Sequence, residues 1–144
     1  MTATIYTASE LKDRRTEVLE AAARDRALVR AVDGTALVFT RLENVERAET
    51  VAEWSVLLHR VEQGDDLSSA VRWLRHFDAE DRAEFVAEMW EALENVSAEG
   101  ELGAFRETLA AWKTTARAVA DDVRRSVLLG EVKGKDFVQV ERPA

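Results

Sequence analysis

Two hydrophobic periods run along this chain, and the change from one to the other falls near Arg41. Before it, residues 4–6 combine β-branched and aromatic side chains without a breaker and, with their immediate neighbours, predict a short first strand. Thr7-Ala8-Ser9-Glu10 then reads as a capping box, in which the Thr7 hydroxyl takes the Glu10 amide while the Glu10 carboxylate reaches back. A helix starts there, with Leu11, Val18, Leu19 and Ala22 at helical spacing to about Arg24. Residues 27–32 and 35–40 are two short apolar runs around Asp33-Gly34, a strong signal for a type I′ hairpin with positive φ at both central positions. Both faces of this hairpin are mostly apolar. One face calls for the helix and the other for further cover, most economically a second copy of the chain. Leu28, Val29, Leu37, Val38 and Phe39 are the candidate dimer contacts.

Beyond Arg41 the texture is helical. Val51, Trp54, Leu57, Leu58 and Val61 form one stripe ending at Gln63-Gly64, and Leu67, Val71, Leu74 and Phe77 a second short amphipathic helix after Asp65-Asp66. Asp78 is a good N-cap for a third, with Phe85, Val86, Met89, Trp90 and Leu93 on one side. The fourth is the longest: Leu102, Phe105, Leu109, Trp112, Ala116, Val119, Val123 and Val127 recur every three or four residues as a seam for partner helices. Gly130 and Gly134 end it, and Phe137, Val138 and Val140 predict a short extended tail. The softest boundary is 43–50, dividing a β-α-β-β-α unit at 1–50 from a mainly helical domain at 51–144; Gly64 and 99–103 are lesser hinges. The fold class expected is α+β.

A length of 144 residues suits one domain, or two small units, and 47% hydrophobic with 33% charged residues supports a folded core. Zero Cys excludes disulfide scaffolds, thiolate metal sites and thiol nucleophiles, and His59 and His76 are too far apart in sequence to announce a metal site. No stretch approaches the ~18 consecutive apolar residues of a membrane span, and the N-terminus lacks the basic and apolar regions of a signal peptide, so a soluble cytoplasmic protein is expected. The formal charge of −8 argues against a general nucleic-acid coat. Residues 1–42 nevertheless hold seven basic side chains against six acidic, so the negative excess lies beyond them.

The opening third resembles the Phd/YefM (prevent-host-death) antitoxins. Ala8-Ser9-Glu10-Leu11 is similar to that family's small-Ser-Glu-aliphatic helix start, Val18-Leu19 to its mid-helix apolar pair, Ala36-Leu37-Val38-Phe39 to its second hairpin strand, and Arg41-Leu42-Glu43 to its exit into the next helix. The resemblance covers about residues 3–50; the remainder is similar, more faintly, to a helical extension on some proteins of this kind, which implies no mechanism. It implies a type II antitoxin: a homodimer whose N-terminal unit binds its own operator and represses it, with the following segment neutralising a toxin. Two departures stand out. Where the family has a Thr-Arg pair before the turn glycine, this chain has Ala31-Val32-Asp33, and the nearest basic residue is Arg30. The usual short toxin-binding tail is replaced by some ninety residues of amphipathic helix with four Trp.

Lys12, Arg14 and Arg15 lie near the first helix start, where backbone amides and the dipole favour phosphate. With Arg30 they are the candidate DNA contacts; the alternative is a solvated face paired with Glu10, Asp13 and Glu17. For the toxin the candidates are Trp54, Leu57, Leu58, Val61, Trp73, Leu74 and Phe77, with Trp73 singled out because it leaves its own apolar stripe. Trp54, Trp90 and Trp112 sit on their stripes and are expected in the core. The carboxylate row Glu80, Glu84, Glu88 and Glu91 is better explained as a solvated helix face than as a metal site, and no triad or phosphate loop is evident. No catalytic residue, metal or cofactor is therefore expected. A rival to the antitoxin is a dimeric protein-interaction module that binds neither DNA nor toxin, and no role is assigned to 78–144.

Overall fold

A computed structural model describes residues 4–130, and these form a three-stranded sheet followed by long helices, an α+β fold. The elements run β1 (Ile5–Thr7), α1 (Ala8–Asp13), α2 (Arg15–Arg24), β2 (Arg26–Arg30), β3 (Ala36–Thr40), α3 (Leu42–Glu62), a 3₁₀ turn (Arg72–His76), α4 (Ala79–Glu99) and α5 (Gly103–Leu128). The extended tail expected around Phe137 lies outside the described residues. Two compact units divide the chain: residues 1–56 with 93–102, and 57–92 with 103–144.

In the first unit the capping box forms as expected: the Glu10 amide donates to the Thr7 hydroxyl at 3.3 Å and the Thr7 amide to the Glu10 carboxylate at 2.8 Å. The predicted single helix is instead two, because Arg14 leaves the helical region (φ −118°, ψ 31°). Its guanidinium spans the break, donating to Glu17 at 2.8 and 2.5 Å and to Glu10 at 3.1 Å. α2 lays Val18 and Ala22 against Tyr6, Ala27 and Val29 to make a small core, with Leu11 and Phe39 packed at its edge. Leu19, expected on that stripe, is exposed.

The strands are ordered β1-β2-β3, with β1 parallel and β3 antiparallel to β2. The hairpin turns at the expected place with a different loop. Only Gly34 has positive φ (+89°); the Gly34 amide donates to the Ala31 carbonyl at 3.0 Å and the Ala31 amide to the Thr35 carbonyl at 2.8 Å. That is a three-residue loop with glycine at its left-handed position, so Asp33 needs no strained backbone and instead caps the Thr35 amide with its carboxylate at 2.9 Å.

The boundary expected at 43–50 does not exist as a break, because α3 runs through it for 21 residues. A chain of hydrogen bonds ties its first turns to the end of β3 and to Gly100. Thr40 Oγ1 donates to the Asp25 carbonyl and accepts from Asn44 Nδ2, Asn44 Oδ1 accepts from Arg47, and Arg47 donates onward to the Gly100 carbonyl at 2.7 Å. Gly100 ends α4 with φ +80°, a left-handed conformation that favours glycine, and a Cβ there would push the Arg47 guanidinium aside.

In the second unit the run Leu67, Val71, Leu74, Phe77 makes a 3₁₀ turn where an α-helix was expected. The spacing accounts for it: Val71, Leu74 and Phe77 repeat every three residues, which a three-per-turn helix stacks on one edge, and all three are buried. Asp78 caps α4 through the Asp81 amide at 2.9 Å. Trp73, Phe77, Trp112 and Phe85 close a ring of four edge-to-face contacts, with centroids 5.2 to 6.3 Å apart and planes at 81° to 88°. Two further bonds tether indoles: Trp90 Nε1 donates to Glu62 and Trp112 Nε1 to Glu88, both at 2.7 Å. The α5 seam is buried at Phe105 and Ala116, half-buried at Leu109, Trp112 and Val119, and exposed at Val123 and Val127.

Candidate functional site

The register of the sheet sorts its side chains. Tyr6 lies beside Val29, and Ala27 beside Phe39, on the face that α2 covers; Ile5, Leu28 and Val38 lie side by side on the opposite face. Ile5 and Val38 are more than half exposed, and Leu28 between them is half-buried. Along β2 this apolar band is bracketed by Arg26 and Arg30, both on the open face with Leu28. Arg26 is only loosely paired with Asp25, at 3.9 Å.

This arrangement sorts the expected dimer contacts. Leu28 and Val38 are on the open face. Val29 is buried in the core, Phe39 packs against that core, and Leu37, beside Val29 in register, is 44% exposed on the helix side. Val29 and Phe39 are thus corrected from dimer contacts to core residues, because alternation sends every second side chain inward. Ile5 belongs to the open face and was missed: no local pattern says that β1 lies parallel to β2 with Ile5 beside Leu28.

The basic side chains are not gathered into one patch. Arg14 is engaged by two carboxylates, which raise its pKa, Glu17 first and Glu10 second, and its guanidinium carbon sits 5.5 Å from the Tyr6 ring centroid. Arg14 thus braces the helix break, and a phosphate would compete with those exposed carboxylates for its guanidinium. Lys12 and Arg15 are exposed on the helices of the covered side, without an ion pair among the described residues. Arg30 projects from the other face of the sheet.

Most of the expected toxin contacts are interior. Leu58 and Leu74 are 0% exposed, and Trp54, Leu57 and Phe77 are buried with them, so none of the five presents a surface. Val61 and Trp73 are half-buried. Trp73, expected to face a partner, leans into the aromatic ring, and its Nε1 donates to the Ala70 carbonyl at 3.0 Å. Among the described residues no three His, Asp or Glu side chains come together to hold a metal ion, and no helix is long and apolar enough to cross a membrane. Compared with family models, curated proteins and solved structures, the chain matches none.

Proposed function

We propose that this chain is a dimeric, non-catalytic binding protein of the type II antitoxin kind, in which the sheet-bearing unit joins two copies and the helical region takes a toxin. The observation that carries this reading is the open band Ile5, Leu28 and Val38, an apolar row across a sheet whose other face is already covered. A sheet face turned to water ordinarily carries polar side chains, and a contiguous apolar row marks an association surface. The order strand, helix, hairpin, helix, which is that of the Phd/YefM antitoxins, adds support. For the toxin, the carboxylate excess beyond residue 42 complements a basic partner, such as a ribonuclease whose phosphate groove it would occlude. Operator binding is a second reading, supported by the exposed Lys12 and Arg15.

Sedimentation equilibrium tests the dimer. The full chain is expected at twice its own mass at micromolar concentration, and Val38→Asp at one chain mass with its helical circular dichroism retained. A folded wild-type monomer overturns the dimer. Coexpression with the product of the adjacent reading frame tests the rest: relief of growth arrest is expected, and arrest unrelieved by a soluble chain overturns the antitoxin.

A further inference from the structure

A cleft of about 460 Å³ opens within the helical unit between the 3₁₀ turn and α5, lined among others by Ser69, Trp73, His76, Lys113, Ala116 and Arg117. Lys113 and Arg117 are one helical turn apart and share a side of α5. Ala116, between them, also lines the cleft and is itself buried at 1% exposure. On the opposite wall Trp73 and His76 are three residues apart, which the 3₁₀ repeat brings to one edge. The indole is fixed in advance: its Nε1 is bonded to Ala70, and Phe77 and Phe85 hold the ring edge-on.

The electrostatics of the cleft run against those of the chain. The protein carries −8, yet no described Asp or Glu lines this cleft, and neither Lys113 nor Arg117 has an ion pair or side-chain hydrogen bond among the described residues. Two cations one turn apart in a lining without a carboxylate attract an anion, Asp121 one turn further along the same side lying 3.9 Å from Arg124, and the guanidinium fork suits the paired oxygens of a phosphate. Ser69 and His76 add hydrogen-bonding groups, and Trp73 supplies a fixed aromatic surface for a planar ring. The volume lies within the ~300 to 1,000 Å³ of small-molecule sites.

We infer that this cleft binds a small phosphorylated ligand bearing a planar ring, of mononucleotide size, with the phosphate on Lys113 and Arg117 and the ring against Trp73. The site lies wholly within the helical unit and stands whether or not the chain dimerises or binds a toxin.

Isothermal titration of the full chain with adenosine 5′-monophosphate, adenosine and inorganic phosphate tests it. The monophosphate is expected to saturate with a Kd below ~1 mM, with adenosine and phosphate each about tenfold weaker or more. Lys113→Ala and Arg117→Ala place a good helix former at accessible helical positions, so the fold persists while binding falls about tenfold in each. Ala120→Phe fills the cleft from its rim and is expected to abolish binding with the melt retained. No saturable binding, or binding indifferent to both cation variants, overturns the site; phosphate binding as tightly as the monophosphate overturns the ring at Trp73.

Discussion

In the sheet-bearing unit eight large apolar side chains are at least 40% exposed, among them Ile5, Leu37, Val38 and Val56, whereas in the helical unit those described as exposed lie only at and just past the end of α5, at Val123, Val127, Leu128 and Leu129. The first unit has a core of five buried residues, Tyr6, Val18, Ala22, Ala27 and Val29, closed by α2 on one side of the sheet. Its capacity is limited by geometry: a three-stranded sheet with one helix layer buries one face and leaves the other with whatever the alternation puts there. The helical unit uses its residues differently, because large rings fill three-dimensional space from several directions. Phe85 and Leu74 are fully buried while Trp73 and Trp112 complete the ring half-buried. A unit whose aromatics are satisfied internally leaves polar surface and clefts for a partner, and a unit with an apolar row outside offers that row for association. The two units thus use their apolar residues differently: the first spreads part of them over an open sheet face, and the second gathers its rings inside and exposes apolar residues only at the end of α5.

Phe85 is where this contrast breaks most severely. Its ring touches Trp73 and Trp112 edge-on with 0% exposure, so Phe85→Ala is expected to destabilise the protein by about 3 to 5 kcal/mol. Val38→Ser, on the open face of the sheet, should change the stability of the single chain by only ~0.5 kcal/mol. Urea melts of the two variants, made dilute enough to keep the wild type dissociated, check the pair; equal losses would mean that the open face is already packed.

Much of this architecture was legible locally. The capping box at Thr7, the Asp78 cap and the turn at Gly34 depend on residues within four positions of each other, and each appears where its spacing says. Arg14 belongs with them, since Glu10 and Glu17 at four and three residues' distance are the carboxylates weighed as its solvated alternative. What escaped depends on partners far along the chain. Trp73 meets Phe85 and Phe77 meets Trp112 through tertiary packing, so a tryptophan off its local stripe looked exposed while being an inward member of a ring. Ile5 likewise acquires its place only through the parallel pairing of β1 with β2. The Asp25, Thr40, Asn44, Arg47, Gly100 relay lies where the sequence reads as a short helix ending at a soft boundary, and the structure has the start of a 21-residue helix. Its polar residues signal solvent locally and connection tertiarily.

A smaller effect sharpens the contrast from inside the helical unit. The hydroxyl of Ser68 is buried without a hydrogen-bond partner just ahead of the 3₁₀ turn. An unpaired buried hydroxyl costs about 1 to 3 kcal/mol, of which folding recovers part through packing of the side chain. Ser68→Ala removes the cost and keeps the Cβ, so a gain of up to ~1 kcal/mol is expected. A loss in the urea midpoint would mean that a bound water satisfies the group, and that this unit is less dry than its aromatic ring implies.

The smallest effect belongs to the sheet-bearing unit and depends on pH. The Glu10 carboxylate accepts the Thr7 amide at 2.8 Å and the Thr7 hydroxyl at 3.1 Å, and Arg14 lies 3.1 Å away; the amide, then the hydroxyl, then Arg14 favour its charged form and hold its pKa below the usual 4.5. A carboxyl with a lower pKa folded than unfolded contributes stability above its unfolded value and loses it as pH falls through the folded one. Gln at the third helical position still completes a capping box, so Glu10→Gln isolates the charge from the cap. The wild-type Tm is therefore expected to exceed that of Glu10→Gln at neutral pH, with the gap narrowing below about pH 4.5 and closing in stronger acid. Thermal melts of both proteins across that range check the sign. A gap that persists unchanged in acid would mean that Glu10 acts through its hydrogen bonds alone, and that the arginine bracing the helix break contributes no charge pairing to the sheet-bearing unit.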